Sequence, residues 1–125
     1  MTSSIPVWLL FYIMFGHWIA DFVLQSDNMA KGKSKSFYWL TVHVYVYTLF
    51  MAFTTLFLVG IMFNPITWFS WLTLNGVAHW MTDFFTSRCS SFYFTKGDYH
   101  NGFVVVGFDQ FIHLVFLIVT AVILL

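Results

Sequence analysis

Four apolar stretches, at residues 5–25, 37–63, 66–87 and 103–125, take up most of this chain. At a helical rise of about 1.5 Å per residue each is long enough to cross a hydrocarbon core. The expected fold is therefore all-α, a polytopic membrane protein forming a single four-transmembrane-helix bundle. Composition agrees: 60% of the 125 residues are hydrophobic, 8% are charged, and mean hydropathy is +0.81, well outside the range of soluble domains.

The first stretch does not read as a cleavable signal peptide, because no Lys or Arg precedes it and no small-x-small site follows it. The connections carry clear punctuation. "SDNMAKGKSKS" (26–36) is polar and holds three lysines, "NP" (64–65) makes a tight uncharged turn, and "SRCSSFYFTKGDYHNG" (87–102) holds Arg88 and Lys96. Every Lys and Arg thus lies in the first or third connection, on one side of a four-helix chain. The positive-inside rule assigns that side to the cytoplasm of a bacterial inner membrane and leaves both termini outside.

Two chemistries are excluded at once. "KGKSKS" contains Gly-Lys-Ser, but no Gly stands five residues before Gly32 and no strand leads in, so it is not a phosphate-binding loop. Cys89 is the only cysteine, which rules out an intrachain disulfide and a multi-thiolate metal site. Lys31, Lys33 and Lys35 are expected to meet anionic headgroups. The lipid bilayer is the expected partner, and no nucleic-acid partner is expected.

The informative residues are the ionisable ones inside the apolar stretches: His17 and Asp21, His43, His79 and Asp83, Asp109 and His113. "HWIADF" (17–22) and "HWMTDF" (79–84) repeat one pattern, and in three of the four stretches a His and an Asp stand four residues apart, on one helix face. Counted from the basic ends, all seven fall in one layer about 6–15 Å below the boundary. Three ionised aspartates in low dielectric need positive charge, and no Lys or Arg lies at that depth, so protons or metal ions must supply it. Two divalent ions with one hydroxide, held by His17, Asp21, His43, His79, Asp83, Asp109 and His113, balance that charge. A His/Asp set without thiolates points to zinc, manganese or iron.

The repeat also implies an architecture of two parallel two-helix halves, with His17/Asp21 matched by His79/Asp83 and His43 matched approximately by Asp109/His113. Asp109 has no counterpart near His43, an asymmetry that leaves one metal with an open position. Gln25, Tyr47, Asn75 and Gln110 are candidates for orienting the ligands, with simple interhelical hydrogen bonding an equally good reading of each.

With "HWIADFVLQSDNMAKGK" in view, the chain resembles a family of small phage and bacterial integral membrane proteins known as a domain of unknown function. The shared pattern is His17-x3-Asp21-Phe22-x2-Gln25, a Lys-containing loop, His43, His79-x3-Asp83 and Asp109-Gln110-x2-His113, and it covers nearly the whole chain. That resemblance implies the fold but no activity. A weaker similarity, to the membrane-bound metal-dependent hydrolases regulated by LexA, implies a reaction class only, since their His-Arg and Thr-His-Ser elements are absent here.

The leading expectation is a membrane-embedded metal-dependent hydrolase acting on a lipid or lipid-linked phosphoester, with Asp21, Asp83 and Asp109 as the catalytic carboxylates. Proton or divalent-metal transport through the same layer is the alternative, although the outer helix halves hold almost no polar groups. A haem carrier fits poorly, because histidines at one depth cannot hold two haems. The remaining reading is a phage membrane protein that binds a host membrane protein. Gly16, Gly60, Gly76 and Gly107 permit close helix contacts and hence a homo-oligomer.

Overall fold

The computed structural model describes residues 5–125, and among these the chain is helical apart from short connections. Five α-helices occur: α1 (Val7–Trp18), α2 (Asp27–Gly32), α3 (Phe37–Thr55), α4 (Pro65–Thr95) and α5 (Tyr99–Leu124). α1 runs straight on as one π-helical turn, Ile19–Val23, closed by Leu24 N–H donating to the Ile19 carbonyl at 2.9 Å. α1 packs on α3, α3 on α4, α4 on α5, and α5 returns to α1.

Local chemistry explains the boundaries and three departures from the sequence expectation. The first connection is not a plain loop. The Ser26 hydroxyl accepts from Met29 N–H, starting α2, and the Gly32 carbonyl accepts from Lys35 and Ser36 N–H at 2.9 and 2.8 Å. A Cβ on Gly32 would meet the Trp39 ring at 2.5 Å, so the glycine lets α2 fold tightly back on the start of α3.

α3 ends at Thr55 rather than near residue 63. The hydroxyls of Thr54 and Thr55 both donate to the Met51 carbonyl, a local bond that competes with the helical ladder. A 3-10 turn, Leu56–Leu58, follows, and Gly60 at φ 85° closes the loop by donating to the Phe63 carbonyl at 2.9 Å. Asn64 then caps α4 through Ile66 N–H at 2.8 Å, with Pro65 at the first helical position.

α4 runs to Thr95, two turns past the expected end, and the third connection shrinks to Lys96-Gly97-Asp98. The polar run after Phe85 continues the helix because its side chains find partners. Arg88 lies 3.9 Å from the Phe84 ring centre and donates to the Phe84 carbonyl at 2.8 Å, while Ser87 turns to the buried face. Gly97, at φ 78°, then stops the helix. Its N–H donates to the Phe94 carbonyl and Asp98 N–H donates to that of Tyr93, at 3.0 and 2.9 Å, the paired bonds of a Schellman ending. Asp98 immediately caps α5 through Asn101 N–H.

Two stretches, Phe37–Leu58 and Tyr99–Leu124, are long and apolar enough to cross a membrane, and Val7–Val23 is a shorter apolar helix. The interior divides along the helix axes. One half is an apolar core that includes Leu9, Ile13, Met51, Trp71 and Leu117. The other half holds the buried ionisable residues.

Candidate metal centre

The sequence repeat places each polar side chain on the buried face of its helix. His79 and Asp83 are consecutive inward positions of α4, and Asp109 and His113 of α5; His43 sits on the buried face of α3. Asp21 belongs to the π-turn. The wider turn keeps its carboxyl inside while Phe22, Val23 and Leu24 stay exposed, a placement consistent with the occurrence of such turns at functional sites.

Four atoms converge on one point. His43 Nε2 lies 2.9 Å from Asp21 Oδ1 and 3.2 Å from Asp83 Oδ2. His79 Nε2 is 3.3 Å from each of the same two oxygens, and the two Nε2 atoms are 3.2 Å apart. Five edges of this tetrahedron are therefore nearly equal. A tetrahedral zinc bound at about 2.0–2.1 Å sets its ligand atoms about 3.3–3.4 Å apart, close to these five separations, so the donor set could hold such an ion.

A second group shares the same carboxylates. His113 Nε2 lies 3.0 Å from Asp83 Oδ1 and 3.1 Å from Asp109 Oδ2. Asp21, Asp109 and His113 each offer a ligand atom within 4.8 Å of the others. Asp21 thus belongs to both groups, and Asp83 turns Oδ2 to the first group while its Oδ1 pairs with His113. The His79 and His113 rings stack at 3.9 Å with 6° between their planes, which fixes the orientation of one imidazole from each group. Six of the seven candidate ligands are brought together in this way, all of them buried.

His17 is the seventh and has other partners. Its Nδ1 is 2.6 Å from the Tyr47 hydroxyl and its Nε2 is 2.8 Å from Gln110 Oε1, with Asp21 Oδ2 farther off at 3.8 Å. Gln110 connects the layer: its Nε2 donates to Asp21 Oδ2 at 2.7 Å and to Asp109 Oδ2 at 3.1 Å. Tyr47 therefore serves His17 rather than His43. Asn75 lies outside the layer and donates to the Trp71 carbonyl and the Thr120 hydroxyl, both at 2.9 Å.

One expectation is overturned. Sequence position put no lysine or arginine at the depth of the layer, yet Lys33 Nζ donates to Asp83 Oδ2 at 3.2 Å. The fold-back of α2 onto α3 carries Lys33 over the layer, and its long stem reaches in while its backbone stays in the connection. With three ionised aspartates and one ammonium, the layer still lacks two positive charges, which one divalent ion, or two divalent ions carrying two hydroxides, would supply. Thr86 was not among the expected residues; its hydroxyl donates to Asp109 Oδ1, four residues' worth of helix beyond Thr82.

The layer is not sealed on every side. A cavity of about 380 Å³ reaches Asp21, Asp109 and Gln110 from the end of the molecule that carries Lys31, Lys33 and Lys35.

Residues 9–125 match a family described as a protein of unknown function (DUF3307). The chain belongs to that family. The match runs from α1 to the end of α5 and so takes in all of the donor residues of the layer. No curated protein and no solved structure matches the chain.

Proposed function

We propose that this DUF3307 member is a membrane-embedded, metal-dependent hydrolase that cleaves a phosphoester in a lipid or lipid-linked substrate. The single observation that carries the reading is the tetrahedral donor set of Asp21, His43, His79 and Asp83, joined through its own carboxylates to Asp109 and His113 and open to a lysine-lined cavity. The first group suits zinc, and the second supplies fewer protein ligands and a face toward the cavity.

Membrane embedding rests on the inverted distribution of polarity. Phe53, Phe85 and Phe111 are 78%, 67% and 62% exposed, whereas Asp83 is 1% exposed. Apolar surface of that extent outside, with carboxylates and imidazoles inside, is the arrangement expected of helices surrounded by lipid. On this reading α1, α3, α4 and α5 form the transmembrane bundle, and the charge rule makes the end that carries Lys31, Lys33 and Lys35 the cytoplasmic side of the inner membrane.

A metal bound here supplies Lewis acidity and a lowered pKa for a bound water. The chain's own groups do the rest. Lys31 and Lys35 hold the substrate phosphate at the cavity end of the site. Asp109, the most exposed of the three buried aspartates and part of the cavity wall, takes the proton of the attacking water and delivers it to the leaving oxygen. Gln110 and Thr86 hold Asp109 in place. The apolar core closes the opposite half of the molecule, which favours hydrolysis over a transport route.

The test is phosphoester cleavage by the purified chain in nanodiscs, with bound metal measured on the same sample. Hydrolysis lost in Asp109→Asn, with metal content retained, supports the reading. Stoichiometric metal with every phospholipid and lipid-linked phosphate left intact would overturn it.

A further inference from the structure

The cavity beside Asp21 and Asp109 has two chemically distinct sides. α2 and its connection to α3 present Lys31, Lys33 and Lys35. Among the described lysines only Lys33 is ion-paired, to Asp83; the two carboxylates of the cavity, Asp21 and Asp109, are engaged by His43, Gln110, Thr86 and His113, which leaves the ammonium groups of Lys31 and Lys35 without a carboxylate partner. The opposite wall is α4, which presents Ser87, Ser90, Ser91 and Thr95 at helical spacing. Ser90 and Thr95 give their protons to the Ser87 and Ser91 carbonyls at 3.1 and 2.7 Å, so what they offer the cavity is oxygen lone pairs.

Gln25 adds a further acceptor. It lines the same cavity, and its Oε1 is the one buried side-chain polar atom among the described residues without a hydrogen-bond partner. Such an acceptor takes a donor from water or from a ligand in the cavity. The cations therefore require an anion, and the acceptors require a donor. An ammonium headgroup is disfavoured beside three lysines, which leaves hydroxyl groups. Phe22 and Val106, in the π-turn and α5, form an apolar side of the cavity suited to an acyl chain.

We infer that this cavity binds an anionic phosphodiester headgroup that carries free hydroxyls, a phosphoglycerol or a similar phosphorylated polyol. Lys31 and Lys35 take the phosphate, and Ser90, Thr95 and Gln25 accept from the hydroxyls. The volume, about 380 Å³, is of the size that small-molecule sites have. The inference rests on the proposed hydrolase for the placement of the ester beside Asp109, but binding of the headgroup needs no metal.

The experiment is calorimetric titration of the full-length, chelator-stripped protein in detergent with three probes: dioctanoyl phosphatidylglycerol, dioctanoyl phosphatidylcholine and free glycerol 3-phosphate. The phosphoglycerol lipid should bind at least tenfold more tightly than the phosphocholine lipid. Lys31→Met with Lys35→Met should weaken it about tenfold, and the corresponding arginines should restore it. These two side chains are exposed, so the variants keep the fold. Thr95→Val with Ser90→Ala should narrow the preference for the hydroxylated headgroup. Tighter binding of the lipid than of glycerol 3-phosphate identifies a membrane source, equal binding a soluble one, and either keeps the cavity chemistry. Equal binding of the two lipids, or no loss in the double methionine variant, overturns it. Because the protein is metal-free here, a failure of hydrolysis leaves this result standing, and a failure of binding beside intact hydrolysis removes only the headgroup assignment.

Discussion

His43 Nε2 stands 3.2 Å from His79 Nε2, and both nitrogens face Asp21 Oδ1 and Asp83 Oδ2. Two imidazoles that approach nitrogen to nitrogen are joined either by one N–H···N hydrogen bond or by a cation at the common point. The separations within the tetrad are compatible with a metal there. Because Asp21 belongs to both groups and Asp83 touches His113, the layer behaves as one coupled unit.

That coupling has a measurable consequence. Elemental analysis of the purified wild type should find about two divalent ions per chain, as in other carboxylate-bridged helical centres. His43→Ala should lose the ion of the first group and His113→Ala that of the second, whereas Asp21→Ala should lose both. A wild type that holds no metal after zinc, manganese and iron supplementation sinks the metal reading.

Gln110→Leu removes the hydrogen bonds to His17 Nε2, Asp21 Oδ2 and Asp109 Oδ2 together. Leaving such buried groups unpartnered costs about 1–3 kcal/mol. Thermal unfolding in detergent should show the loss, and an unchanged midpoint would mean that Gln110 is a bystander.

Gly102→Ala tests the α4–α5 hairpin. Gly102 is buried in the first turn of α5, where a Cβ would overlap the Phe94 ring. Overpacking of this kind costs about 1–3 kcal/mol. Because Phe94 also lines the cavity, headgroup binding should weaken along with stability. A fully stable variant would show that the ring turns aside freely.

Asp98, between α4 and α5, makes part of the stability depend on pH. The Asn101 side chain and backbone N–H donate to its carboxylate and hold it below the ordinary carboxylate range. A depressed folded-state pKa means stability that is present above the unfolded value and is lost as pH falls through the folded one. Asp98→Ala should therefore melt below wild type at neutral pH, and the gap should close on acidification. A gap that persists at full protonation would place the effect outside the charge.

Much of the layer was legible because helical periodicity is local. His17/Asp21, His79/Asp83 and Asp109/His113 stand four apart, and that spacing puts each pair on one face whatever the fold. Gly97 and Asp98 also carried a readable stop-and-start signal, a left-handed glycine followed by an N-cap, which the polar run 87–102 obscured when taken as a loop. The short α2 was signalled only by Ser26.

Lys33, Gln110 and His17 were a different matter. Lys33 meets Asp83 across 50 residues, and Gln110 meets His17 across 93, so neither pairing leaves a trace in local pattern. Sequence by itself determined the helices and the inward faces that carry imidazoles and carboxylates, because burial of a face follows from periodicity. Tertiary structure alone decided which carboxylate oxygen serves which group, that His17 turns to Tyr47 and Gln110, and that a lysine from a connection enters the layer. Those outcomes depend on how helices dock and how far a side chain reaches, and distances of a few ångströms between remote segments are set only when the chain is packed.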